Sequence, residues 1–359
     1  MTQARSQIVV DGQVGIYHCM SRCVRQAFLC GFDPVSQRSY EHRREWIRER
    51  LKNLSGLFGV DVMAYAVMHN HWHGVVRTRP DRIEGLNDEQ VVRRWMRVFP
   101  KKREGTASEQ RAAIEMEVSA TCANVGRVQE LRRRLSNVSW FMKSVNEKIA
   151  RRGNHEDGTK GRFWEGRFKC QALLDEAALL TCMTYVDLNP VRAALADSLE
   201  DSEFTSIYDR IVARQSRERE AMLNAQRAAN SVDEHWIATM ERMLKPDADR
   251  WLYPLDGKEG LIPGLDTESY LRLVDATGRL IRCDKRGAIP ADVLPILESL
   301  EINTQRWASD VAAYGSLFYR VTGRVGAFLD AAKRAGQRFM KGRGASEDLF
   351  GLDMAISSA

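Results

Sequence analysis

Residues 14–21 (VGIYHCMS) are rich in β-forming side chains and predict a strand. Residues 40–58 change to helical spacing, with Trp46, Ile47, Leu51, Leu54 and Phe58 on one broad apolar stripe and Gly59 as the closing residue. Two strand-like runs follow at 62–68 and 71–78, and the polar pair His69-Asn70 between them predicts a tight hairpin. Residues 81–135 are charged and helical in pattern, as an insertion or an elongated helical segment would be. A helix is predicted over 137–150, its buried side made of Trp140, Phe141, Val145 and Ile149, and 151–161 reads as a polar, glycine-containing loop. Residues 163–174 contain a further strand. Asp175 caps a helix over 176–188, which Pro190 stops because the residue before proline avoids the α region.

The order is strand, helix, strand, strand, helix, strand, helix. It predicts a ferredoxin-like α+β sandwich, an antiparallel sheet with helices on one face. Beyond about residue 212 the pattern becomes long charged helical segments, a Pro/Gly-rich connector at 253–264, then helices. The chain is therefore divided into 1–212, carrying the 81–135 insertion, and a mainly helical extension over 213–359. No internal repeat is visible.

Composition narrows the class without fixing it. The 359 residues are 44% hydrophobic and 28% charged, enough for one large core or two domains. The net charge of +6 is compatible with a nucleic-acid partner and far from proof of one. No stretch is apolar enough to span a bilayer, and the first residues lack the apolar run of a signal peptide, so a cytoplasmic protein is expected. The seven cysteines, from Cys19 to Cys283, are then reduced thiols. Cys19, Cys23 and Cys30 lack the spacing of a zinc knuckle, and buried small residues are the simpler account.

Three of the seven histidines lie together, at His69, His71 and His73. Alternate strand residues share a face, so His71 and His73 would stand side by side while Trp72 enters the opposite layer. Two neutral imidazoles on a strand make half of a divalent-metal site, and the spacing fits a surface pair in a hairpin equally well. A second constellation is YVDLNP at 185–190. Residues one turn apart share a helix face, so Tyr185 and Asn189 would project together, and the Asn189 carbonyl oxygen suits a hard cation.

AYAVMHNHWHGVV resembles the metal-binding segment of the single-tyrosine HUH transposases, in which two histidines flank a bulky apolar residue. GRFWEGRFKCQALLDEAALLTCMTYVDLNPVRAAL resembles the tyrosine helix of their REP-associated branch. The resemblance runs over about residues 10–212, with YVDLNPVRA its most specific part. It implies the HUH endonuclease fold, a metal (Mg²⁺ or Mn²⁺) bound by His71 and His73, Tyr185 as nucleophile and Asn189 as third ligand. It further implies cleavage and rejoining of single-stranded or hairpin DNA through a 5′-phosphotyrosine, by a monomer, with a dimer that shares Tyr185 between chains left open. His69 departs from the pattern, as do the 81–135 segment and the long extension. No nucleotide cofactor is expected, and the chain has no phosphate-binding GxxxxGK[ST] loop.

Holding DNA would fall to Arg22, Arg25 and Arg77, which flank the histidines, and to Arg162, Arg167 and Lys169 before the tyrosine helix. Phe163, Trp164 and Phe168 among them fit core packing better than base stacking. The extension mixes Trp307, Phe318, Tyr319, Arg320, Arg324, Lys333, Arg334, Arg338, Phe339, Lys341 and Arg343, which suits accessory DNA binding and a helical cap equally. Two other functions stay open: a DNA-binding protein of the same fold that does not cut, and a metal-dependent hydrolase. The hydrolase needs further carboxylate or Cys ligands beside the histidines, for which Asp61 is the near candidate in sequence.

Overall fold

The computed structural model describes residues 8–24, 29–34, 37–229, 233–257, 260–282, 287–337 and 340–351. Arg25, Cys283, Arg338 and Phe339 lie outside the described residues. The elements run β1 (Ile16–Arg22), β2 (Phe32–Asp33), β3 (Arg38–Ser39), α1 (His42–Ser55), β4 (Val60–Val67) and β5 (His71–Thr78). Next come α2 (Pro80–Glu84), α3 (Asp88–Val98), α4 (Ala107–Cys122), α5 (Val125–Leu135), α6 (Val138–Glu156), β6 (Lys169–Leu173), α7 (Glu176–Asp187) and α8 (Asn189–Arg192). The remainder is α9 (Ser206–Ala228), α10 (Glu234–Met243), α11 (Thr267–Ile281), α12 (Leu294–Ser299), α13 (Trp307–Leu317), β7 (Val321–Thr322), α14 (Val325–Arg334) and α15 (Arg343–Phe350).

Five strands form one mixed sheet in the order β4-β5-β1-β6-β7. The first four pair antiparallel, and β7 joins β6 in parallel. The β4–β5 connection is a tight hairpin, with the Met68 N–H donating to the His71 carbonyl at 2.8 Å. The expected placement of helices on one face needs correction. All eight residues of β4 are buried, so the sheet has no solvated side to alternate toward. On one face Ile47 and Leu51 of α1 and Phe141 and Val145 of α6 pack against Tyr17, Trp72 and Val76. On the other, Leu179 and Val186 of α7 meet Met63, Ala64 and Val75.

Several boundaries also move. Helix α1 ends at Ser55 with Gly56 as its cap. Gly59 instead marks a close approach, where a Cβ would lie 2.4 Å from the Arg79 carbonyl oxygen. Helix α6 runs on through 151–156, because its last residue, Glu156, accepts from Arg43 Nε of α1 at 2.6 Å and is held there. Asp175 does cap α7, accepting from the Ala178 N–H at 2.8 Å. Pro190 does not stop the helical path. It sits in the first turn of α8, where a missing N–H costs no bond, and the path ends near Ala194 at φ +51°.

The 81–135 segment is helical, and Val91, Val92, Val128, Leu131 and Leu135 anchor it to the core beneath α1 and α6. The boundary expected near 212 falls inside α9. The extension shares the core of α7 through Tyr270, Trp307, Val311 and Tyr314. Buried Arg210 ties it further, donating to the carbonyls of Met63 (3.1 Å) and Tyr253 (3.0 Å). Among the described residues no helix is long and apolar enough to cross a membrane.

Candidate functional site

The register of the sheet builds the site. Paired residues point to the same face, and three rows result: Arg22 beside His71, Met20 between His73 and Lys169, and His18 between Val75 and Gln171. Trp72 turns to the other face, fully buried, its indole N–H donating to Asn146 Oδ1 at 3.2 Å. Helix α7 lies over the histidine face. Its Tyr185 ring stands edge-on to His73 at 5.8 Å and to His18 at 6.0 Å. The phenol ring also leans on Tyr314 of α13 at 4.9 Å, and the Arg192 guanidinium lies 4.7 Å over it. So covered, Tyr185 is 8% exposed.

Burial sets the protonation states. His71 is pushed down to about 4 by desolvation, with Arg22 and Lys169 adding to the fall. Desolvation likewise takes His18 to about 4 and His73 well below its usual value. All three are neutral imidazoles near pH 7. Burial raises the Tyr185 phenol, and Arg192 opposes that rise. At rest Tyr185 is protonated.

These residues can be tested against a divalent cation. His71 donates from Nδ1 to Asn70 Oδ1 at 2.7 Å, which leaves its Nε2 with a lone pair. His73 Nε2 is buried with no hydrogen-bond partner. A pair of neutral imidazoles with open ring nitrogens, their rings 4.8 Å apart, fits Mg²⁺ or Mn²⁺ as two of its donors. Among the described residues no group of three or more His, Cys, Asp or Glu side chains is gathered for a metal, so further donors must be neutral groups, water or substrate. Asn189 is one helical turn from Tyr185 but turned to its own helix. Its amide donates to the Tyr185 carbonyl at 3.2 Å, and its oxygen accepts from Arg192 at 3.3 Å.

The expected DNA contacts divide. Arg22 is half exposed at the mouth beside His71, 3.8 Å from Glu165. Lys169 is exposed in the His73 row, and Arg162 and Arg167 are exposed on the loop before β6. Arg77 does not flank the site as expected. It lies at the other end of β5, about 20 Å along the strand from His71, with its guanidinium 5.9 Å from the Tyr253 ring. Phe163 is buried and Trp164 donates its indole N–H to the Asn146 carbonyl at 2.9 Å, so these aromatics serve the core. Cys19, Cys23 and Cys30 are buried in that same core.

His69 is exposed in the hairpin, its ring against Gly31 rather than its neighbours' row. Asp61 is opposite Arg77 at the far end of the sheet, paired with Arg82 and 3.6 Å from Arg79. The carboxylate that a hydrolase needs is thus absent from the His71–His73 row among the described residues. Sequence reasoning missed His18, Gln171, Arg192 and Tyr314. The alternation of β1 contained one usable signal: His18 falls on the strand face opposite Tyr17 and Cys19.

Fold and site together define an α+β protein with a five-stranded mixed sheet, one face of which holds buried histidines under a tyrosine-bearing helix. No protein-family model matches the chain, and no curated protein does. Among solved structures, the chain is similar to a REP-associated tyrosine transposase bound to a REP hairpin, with 13% identity and a TM-score of 0.31. The similarity covers 59% of this chain and 86% of that one.

Proposed function

We propose that this protein is an enzyme that nicks and rejoins single-stranded, hairpin-bearing DNA, with Tyr185 as nucleophile and a divalent cation on His71 and His73. The observation that carries the reading is the 5.8 Å approach of the Tyr185 and His73 rings, which come from different elements far apart in the chain. The resemblance of HNHWHGVV and YVDLNPVRA to HUH transposase segments gives that approach its chemistry.

In the cleavage step the Tyr185 oxygen bonds to phosphorus, and the bond from phosphorus to the 3′ oxygen breaks. The phenol loses its proton and the departing oxygen gains one. The phosphotyrosine keeps the bond energy, so a 3′-hydroxyl can reverse the step without ATP. A bound Mg²⁺ or Mn²⁺ supplies polarisation of the scissile phosphate and stabilisation of the departing oxygen. Arg192 lowers the cost of negative charge on the phenol oxygen. Arg22 and Lys169 hold phosphates at the mouth. Asn189 is a third donor in this reading once its oxygen leaves Arg192.

One observation favours a second reading, a DNA-binding protein that does not cut: the low exposure of Tyr185 beneath α13. The deciding experiment incubates labelled single-stranded hairpin DNA with the protein and Mn²⁺, then looks for a denaturant-resistant adduct. The wild type should form it. Tyr185→Phe should bind the hairpin yet form at least about 1000-fold less adduct. His71→Ala, His73→Ala or EDTA should abolish cleavage, while Asn189→Ala costs roughly tenfold because water can replace a neutral ligand. Hairpin binding with no adduct in the wild type establishes the second reading. An adduct persisting in Tyr185→Phe moves the nucleophile elsewhere, and cleavage in EDTA removes the cation.

A further inference from the structure

Behind His73, away from the mouth, runs a closed chain of buried and part-buried hydrogen bonds. His73 Nδ1 lies 2.9 Å from His18 Nε2, and His18 Nδ1 lies 3.2 Å from Gln171 Oε1. Gln171 Oε1 also accepts from the Tyr314 hydroxyl at 3.0 Å, while Gln171 Nε2 donates to Thr322 Oγ1 at 2.8 Å. Thr322 Oγ1 and the Tyr314 hydroxyl are 3.1 Å apart. His18 and Gln171 are neighbours across the strand pair β1–β6, whereas Tyr314 and Thr322 come from α13 and β7 of the C-terminal segment.

Donor and acceptor rules give this chain a direction. The Gln171 carbonyl oxygen has no proton, so it must receive one from His18 Nδ1–H and one from Tyr314. Thr322, accepting from the Gln171 amide, gives its own proton to the Tyr314 oxygen. A neutral imidazole protonated at Nδ1 has a lone pair at Nε2, so His18 accepts from His73 Nδ1–H. His73 Nε2 is then bare, and it is the ring atom the fold leaves buried without a partner. Each proton in the chain is assigned, and the assignment starts at Gln171, not at the metal.

We infer that His18 and Gln171, locked by Tyr314 and Thr322 of the C-terminal segment, are positioning residues that fix His73 as its Nδ1–H tautomer and aim its Nε2 lone pair at a cation. The inference rests on the proposed metal role of His73. Imidazole ligands elsewhere are oriented in this way by the group that accepts from their second nitrogen, and loss of such a partner costs 10- to 100-fold in metal affinity. The consequence for this chain is that its C-terminal segment sets the geometry of a ligand on β5 through hydrogen bonds that do not reach it directly.

The test uses the full-length protein, ¹⁵N-labelled at histidine, with Mn²⁺ alone as the probe. In the metal-free wild type, imidazole ¹⁵N shifts should show His73 protonated at Nδ1. His18→Leu removes the acceptor. It should change that tautomer signature and weaken Mn²⁺ binding 10- to 100-fold. His18→Gln, whose amide oxygen can accept from His73, should recover most of the affinity. Tyr314→Phe with Thr322→Val should weaken binding in the same direction by a smaller factor. Melting curves identify any variant that fails to fold, and the wild-type tautomer decides the matter even then. A Gln171 amide turned over would reverse the chain. His73 protonated at Nε2 in the wild type therefore overturns the inference, as does unchanged Mn²⁺ affinity in a folded His18→Leu protein. If the wild type shows the Nδ1–H tautomer but binds no Mn²⁺, the relay stands and the metal reading fails.

Discussion

His18, His71 and His73 are kept neutral by burial, and that has a measurable cost in acid. For His18 the ring is pushed from an ordinary value of 6.5 down to about 4. As pH falls, the unfolded chain takes the proton first, so the contribution is fully present above about 6.5 and is lost as pH drops toward 4. The loss is on the order of 3 kcal/mol for this one ring. Asp187 and Asp209 work with the opposite sign, because burial raises both to about 6 and the folded state holds their protons more tightly. A difference measurement separates the terms. In urea titrations from pH 7 to pH 4, the wild type should lose about 3 kcal/mol relative to His18→Leu. Parallel stability curves would show that His18 charges freely inside the fold. His71, His73 and Tyr185 were legible in the sequence because each belongs to a short local motif. His18 was not, since its partners are Val75 and Gln171, and only the pairing of β1 with both β5 and β6 puts them beside it.

Among the elements, α13 bears most directly on Tyr185, the proposed nucleophile. A Cβ at Gly315 would lie 2.9 Å from the Tyr185 hydroxyl oxygen, so the absence of a side chain there is what lets the phenol rest under the helix. Gly315→Ala should therefore move that oxygen by a few tenths of an ångström or more and slow single-turnover adduct formation ten- to hundredfold. The melting temperature should hold, because alanine is the better helix former by about 1 kcal/mol. An unchanged rate would mean that Tyr185 does not react from this position. Elements with strong periodicity were read well, and their ends less so. Helix α6 outran its apolar stripe because Glu156 is fixed by Arg43, an ion pair between residues distant in sequence. Pro190 was misread because it occupies a first turn, where proline is tolerated, and not the interior of a longer helix.

At the scale of the molecule, the fold has one α7-side core to which both parts of the chain contribute. Cutting after residue 212 would strip Tyr270, Trp307, Val311 and Tyr314 from Met63, Ala64 and the apolar side of α7, and would break α9 near its first turns. Such a fragment should show no cooperative thermal transition. A fragment that melts cooperatively and forms the DNA adduct would make the C-terminal segment accessory. Local patterns showed that this segment was helical. They could not show where it docks, because a helix stripe reports an apolar face without naming the face it covers. The near-continuous apolar run of β4, VDVMAYAV, was the available sign that a second layer was needed, since a strand enclosed on both sides has little polarity to alternate.

The joining of β7 to β6 also has a consequence in time. During synthesis the tyrosine, both histidines and the first four sheet strands leave the ribosome well before Tyr314, Gly315 and Thr322. At ordinary elongation rates the interval between Tyr185 and Tyr314 is on the order of ten seconds. Through that interval the nascent chain has an unsealed sheet edge at β6, a Gln171 side chain without its hydroxyl partners, and a phenol with no lid. The surroundings of Tyr185 are thus finished only after α13 and β7 have been added, and a transcript broken before the codon for Trp307 leaves them unfinished.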